Sequence, residues 1–355
     1  VTPETHAEAL EQAGRHGDAV PAWLEAFTAD PSRPQLAVRL ALAMARVGRR
    51  PDAVELLQVA LAMHPRSPEL HTTRGNLLRA LGRFEDALAA QDAALALAPA
   101  SAAVRGNRCA LFLSWNRPEA ALTEADAALA LAPDVPDLRF NRGTCLLKLG
   151  RPAEAARQLE ATLALAPAHA GAHLNLGEAR LALGDPRGAE AAFRAALEAS
   201  PDDADAHWNL ALRLLARGQW AEGWREYEWR RRLTSFSVQQ VDAPEWEGGP
   251  LEGALLVTAE QGLGDTFQFL RYLPVARARA GRVVFECPPV LERVLGSLPG
   301  VELVARGAPR PAFVAHAPLL SLPLRCQAPP TVDPVVLCVD QARVSAVRAR
   351  LGPGL

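Results

Sequence analysis

The sequence predicts an α-helical solenoid followed by a parallel α/β domain, and three observations carry that prediction. Prolines recur every 34 residues, at Pro31, Pro65, Pro99, Pro133, Pro167 and Pro201. Glycines keep the same step at Gly14, Gly48, Gly82, Gly150, Gly184 and Gly218, with Asn116 in the one missing place. Beyond residue 253 the helical period gives way to short apolar runs alternating with helical stretches, the pattern of strands joined by crossover helices. A chain of 355 residues has room for two or more folding units.

Each recurring residue has a physical task in a helix-turn-helix unit. The glycine ends the first helix, where a left-handed residue lets the chain reverse. Alanines repeat at Ala19, Ala53, Ala87, Ala121, Ala155 and Ala189, and again at Ala26, Ala60, Ala94, Ala128 and Ala196. Seven apart on the second helix, they share a face where a neighbouring helix comes close and a larger side chain would not fit. The proline follows the second helix and stops it. Seven such units fit residues 1–237, the first and last less regular, as end caps are. The pattern resembles the tetratricopeptide repeat.

A second series lies inside that lattice: Asn107, Asn141, Asn175 and Asn209, in contexts such as AHLNLG and AHWNLA. They hold one position on successive first helices, so stacking predicts a row on the concave side. A primary amide both donates and accepts, and a row of them can hold the backbone of an extended polypeptide whatever its sequence. The other reading is that asparagine serves the scaffold at this repeat position. The array looks like the repeats of O-GlcNAc transferase, and that resemblance implies the peptide-binding ladder. His71, His173 and His207 also share a repeat position, which accounts for them without a metal ion; a zinc pair needs closer spacing.

The last repeat turns aromatic. Trp220, Trp224 and Tyr227 follow i, i+4, i+7 spacing and form one stripe, read as core sealing the solenoid end, with a carbohydrate-stacking face as the alternative. Arg230, Arg231 and Arg232 complement the C-terminal dipole of the helix they finish. Residues 238–253, rich in Pro and Gly, read as a linker, with Trp246 an apolar anchor inside it.

Residues 254–340 read as a Rossmann-like half-domain. ALLVTA is a strand, Thr266 to Ala280 a helix ended by Gly281, RVVFEC a strand, PPVLERVLGSL a helix, and VELVA and FVAHA two further strands. In parallel sheets, ligands sit beyond the C-terminal ends of the strands. The loop of AEQGLGDTFQFLRYLP lies at such an end, yet Phe267 stands where a dinucleotide fingerprint needs its third glycine, and no Lys-Ser/Thr pair makes a P-loop. Asp265 has two readings: the N-cap of a helix beginning at Thr266, or a base.

The segments GWREYEWR, WEGGPLEG, AEQGLGDTFQFLRYLP, GRVVFECPPVLERVLGSLPGVE and HAPLLSLP resemble bacterial tetratricopeptide-repeat glycosyltransferases related to the ADP-heptose heptosyltransferases. The resemblance covers essentially the whole chain. It implies a GT-B enzyme of two Rossmann domains, of which this chain carries the first, the acceptor half. It also implies that Asp265 is the base that takes the acceptor hydroxyl's proton, with Gly262 and Gly264 giving substrate access to the backbone. His316 either lines the same cleft or is an ordinary core histidine. The chain stops at RARLGPGL, close to where that family begins its nucleotide-sugar half. Residues 341–355 therefore read as a helix leading to an absent second half, and the chain alone is expected to be inactive, as a fragment or a truncated member. No cofactor is expected, apart from a nucleotide-sugar donor for a longer protein.

With 38 basic and 40 acidic residues and a formal charge of −2, the chain has no bulk attraction for nucleic acid or an anionic membrane. The five cysteines are scattered, without a CxxC pair. Reduced thiols, no signal-peptide core and no membrane-length apolar run make a cytoplasmic protein the simplest reading. The first residue is valine, so a trimmed N-terminus or an alternative start codon stays open. Two functions follow: a glycosyltransferase portion whose solenoid docks a polypeptide and whose α/β domain forms the sugar-acceptor side, or a non-catalytic scaffold for protein-protein interaction.

Overall fold

The computed structural model describes residues 2–236, 239–260, 262–295, 298 and 300–328, with Ser345 and Arg350. The helix expected over 341–355 lies, those two residues apart, outside the described residues. The chain divides into two compact units, Val1–Ser200 and Pro201–Leu355.

The first unit is all helix: α1 Pro3–Gln12, α2 His16–Ala29, α3 Pro34–Arg46, α4 Arg50–Met63, α5 Pro68–Ala80, α6 Phe84–Leu97, α7 Ala102–Ser114, α8 Pro118–Leu131, α9 Pro136–Lys148, α10 Pro152–Leu165, α11 Ala170–Ala182 and α12 Pro186–Ala199. Each odd-numbered helix pairs with the even-numbered helix after it, and α5, α7, α9 and α11 pack in sequence. The turn between partners needs a left-handed residue. Gly48 holds φ 84° there and Asn116 holds φ 57°, asparagine being the side chain that best tolerates that region. Prolines 31, 65, 99, 133 and 167 open the turns after the second helices. The first alanine series is wholly buried from Ala19 to Ala189, and Ala60, Ala94, Ala128 and Ala196 of the second series are too. Small side chains let the backbones approach, and the core is made of these contacts.

His71 and His173 bind the same feature in their own repeats: the Nε2 of each lies 3.1 and 2.8 Å from the carbonyl oxygens of Pro65 and Pro167. They staple the inter-repeat turn, as a scaffold role requires. Cys109 and Cys145 are buried with their sulfurs 3.6 Å apart. The hydrogen bond between them and their burial push the Cys109 thiol far above its ordinary range.

The second unit opens with the helix pair α13 Ala204–Ala216 and α14 Trp220–Tyr227, extended by a 3-10 turn at Glu228–Arg232. A four-stranded parallel sheet follows, built from β1 Ala254–Thr258, β2 Arg282–Cys287, β3 Val301–Ala305 and β4 Ala315–Pro318, in the order β3-β2-β1-β4. Between the strands lie α15 Leu263–Phe269, α16 Leu273–Ala280 and α17 Pro289–Leu295, and α18 Leu322–Cys326 follows β4. What was expected as a Rossmann-like half-domain is seen as this small sheet with its helices. Leu255 and Val257 pack with Val283, Phe285, Phe269 and Leu273 on one face. Ala254, Leu256, Val284 and Val304 pack with Val241 and Phe313 on the other.

Three expectations need correction here. The helix after β1 starts at Leu263, not Thr266, because Thr266 already donates its N–H to the Gly262 carbonyl at 3.1 Å. Gly262 is the N-cap, and Asp265 falls inside the first turn. Nor does that helix run unbroken to Ala280: a 3-10 turn at Leu270–Tyr272 separates α15 from α16. Pro274 sits in the first turn of α16 and has no N–H to continue the earlier ladder. The linker, finally, is partly stitched to the sheet. Trp246 N donates to His316 O at 2.7 Å and His316 N to Pro244 O at 3.0 Å, covering the outer edge of β4.

Candidate functional site

In the first unit, Asn107, Asn141 and Asn175 stand at equivalent positions of α7, α9 and α11 and are all half-buried. Their amides are only partly engaged. Asn107 Oδ1 accepts from Asn76 Nδ2 at 3.4 Å, and Asn175 Nδ2 donates to Thr144 Oγ1 at 2.8 Å. Asn141 has no side-chain hydrogen bond among the described residues. Asn209 differs: it lies in the second unit, and its Nδ2 donates to Asp205 O at 3.0 Å within its own helix.

In the second unit the strand-end chemistry begins at Glu260, two residues beyond β1. Both its oxygens receive Arg230 Nη2, at 2.9 and 3.0 Å, and Oε2 also accepts Leu320 N at 3.0 Å. Arg230 Nη1 donates to Glu228 Oε1 at 2.7 Å, while Ser321 Oγ accepts from Arg230 at 2.8 Å and donates to Glu228 at 3.0 Å. Arg230 is 0% exposed. Burial opposes its charge, but Glu260 and Glu228 more than offset that and hold its pKa above the ordinary value. Reading the run Arg230–Arg232 as cations at a helix end is therefore wrong for its first member. Arg231 and Arg232 both stay exposed, each pairing with a carboxylate: Arg231 with Glu245 at 3.0 Å and Arg232 with Asp202 at 3.1 Å. A run of three arginines carries no sign of which one turns inward, so this network was invisible in the sequence.

Asp265 is half-buried and has no ion partner among the described residues. It borders a cavity of about 490 Å³ together with Trp208, Trp220, Trp224, Tyr227 and Phe269. The aromatic stripe is thus both core and wall: Trp224 and Tyr227 are buried, and Trp220 is half-exposed. Burial pushes the Tyr227 hydroxyl up to about 12. A methyl group placed on Gly262 or Gly264 would meet no atom within 4 Å, so the backbone there is open. Neither glycine has positive φ. His316 is not part of this cavity. It pairs in register with Leu256, on the sheet face away from Phe269, and borders a separate polar cavity with Arg231 and Glu245. Burial lowers its pKa. Among the described residues no cluster of His, Cys, Asp and Glu could hold a metal ion, and no helix is long and apolar enough to cross a membrane.

Residues 38–102 and 111–170 match one tetratricopeptide repeat family model, and residues 146–211 match another. The helical segment is a tetratricopeptide-repeat array. Solved structures agree on the fold. A tetratricopeptide repeat protein from Parabacteroides merdae superposes with a TM-score of 0.54 at 16% identity, covering 65% of this chain and 92% of that one. The Cut9–Hcn1 hetero-tetramer of the APC/C gives 0.58 at 16%, covering 66% of this chain and 46% of that one. PilW, a type IV pilus biogenesis factor, gives 0.51 at 21%, covering 57% and 94%. Among curated proteins, FlbA of Caulobacter vibrioides is 44% identical over 69 residues, 17% of this chain and 11% of that protein's length.

Proposed function

We propose that this chain is a docking scaffold for polypeptides, with the amide row of the repeat array as its contact surface. One observation carries the reading: on three successive first helices, Asn107, Asn141 and Asn175 keep hydrogen-bonding capacity that the described residues do not fill. Such amides exchange water for a peptide backbone at little net cost, and the groove of a solenoid is its usual binding face. The Cut9–Hcn1 relative, itself an assembly of two kinds of chain, is in keeping with this. Replacing Asn141 and Asn175 together with alanine should weaken the binding of an unstructured, fluorescently labelled polypeptide by about tenfold, two backbone bonds being worth about 1 kcal/mol each or somewhat less. Unchanged anisotropy titrations would assign the asparagines to the scaffold alone.

A second reading makes the second unit the acceptor side of a GT-B sugar transferase, its Rossmann-like sheet completed by a nucleotide-sugar half in a longer product. Two features favour it: Asp265 is an unpaired carboxylate beyond the C-terminal end of β1, and the backbone at Gly262 and Gly264 is open. A displacement at an anomeric carbon needs a base for the acceptor hydroxyl. The test is transfer of a radiolabelled sugar by the longer product, which Asp265→Asn should abolish while polypeptide docking persists. Transfer at the parental rate would remove Asp265 from the mechanism.

A further inference from the structure

We propose that the aromatic cavity of the second unit takes a cationic side chain, lysine or arginine, of a bound polypeptide, an inference that rests on the docking reading above. The cavity, of about 490 Å³, is walled by Trp208, Trp220, Trp224, Tyr227 and Phe269 and carries Asp265 at its border. That volume lies within the range of small-ligand sites. Asp265 is the one charged residue among those that line it, and it has no ion partner among the described residues. An apolar guest would cover this carboxylate without compensating it, and an anion would be repelled. A cation satisfies it and is attracted by the ring faces as well.

Leu212 and Leu215 extend the apolar wall, which suits the methylene stem of lysine or arginine.

The experiment titrates the full chain with the acetylated, amidated tripeptides Ala-Lys-Ala, Ala-Arg-Ala and Ala-norleucine-Ala, and with the N-acetylglucosamine trimer, following tryptophan emission. Either cationic tripeptide should bind about tenfold more tightly than the norleucine one, a value between those of an exposed and a desolvated cation-aromatic contact. Asp265→Asn and Trp220→Ala should each erase that preference, with melting curves showing that both variants fold. Equal binding of the norleucine peptide, a preference that survives Asp265→Asn, tighter binding of the saccharide, or no emission change with any probe would each overturn the proposal. Tripeptides are too short to follow three successive helices. A loss of docking in the asparagine variants with the cation preference intact therefore counts against the amide row and not against the cavity.

Discussion

The guanidinium of Arg230, with none of its surface exposed, lies 2.9 and 3.0 Å from the two carboxylate oxygens of Glu260, 30 residues further along the chain. The pair joins the helical end of the second unit to the loop that leaves β1. Ser321 and the Leu320 amide add the first residues after β4. Three segments distant in sequence are thereby fixed around one buried charge.

Removing one side of such a pair leaves the other charge buried without compensation. Arg230→Ala should destabilise the second unit by about 3–5 kcal/mol. Arg230→Lys should recover only part of this, because one ammonium nitrogen cannot stand in for both Nη1, which binds Glu228, and Nη2, which binds Glu260 and Ser321. Urea denaturation of the three proteins reads the difference. A loss below about 1 kcal/mol, the worth of an exposed pair, would show that the network is hydrated and structurally minor.

The repeat array was legible because one 34-residue period fixes turn, packing and stop positions together, and Asn116 could be placed in the glycine series for the same reason. The strands were legible as short apolar runs. What escaped the sequence depends on three-dimensional partners. Arg230 differs from Arg232 only in what lies opposite it. The separation of His316 from Asp265 follows from strand register, which sets His316 beside Leu256 and not on the Phe269 side. The early start of α15 escaped because its N-cap, Gly262, makes no side-chain cap bond, whereas Asp265, three residues on, is of the type that commonly caps a helix.

His316 should make stability depend on pH. Burial lowers its pKa from 6.5, with Arg231 and Arg310 acting in the same direction and Glu245 opposing them. Between its folded value and 6.5 the unfolded chain binds more protons than the folded one. Its contribution is therefore complete above that range and declines as the pH falls through it, with a slope of at most about 1.4 kcal/mol per pH unit. His316→Gln should flatten the stability of the second unit between about pH 7.5 and about pH 5, a span that brackets the ordinary histidine value of about 6.5. An identical slope in parent and variant would mean that His316 stays equally protonated in both states.

Gly177 sets two opposing effects against each other. It lies in the middle of α11, where glycine costs a helix about 1 kcal/mol relative to alanine. Propensity alone would make Gly177→Ala stabilising. The added methyl, however, would collide with the ring of Phe193, a fully buried side chain on α12. Overpacking of a filled core costs about 1–3 kcal/mol, and a ring held on all sides cannot turn aside as an exposed chain end would. The steric cost should win, lowering stability by about 1–2 kcal/mol in thermal unfolding of the repeat array. Adding Phe193→Leu should make the alanine better tolerated than it is beside phenylalanine, since the smaller side chain vacates the volume the methyl needs. A stabilised Gly177→Ala protein would show that α11 and α12 can separate freely, and the close helix contact inferred from the small-residue positions would have to be abandoned.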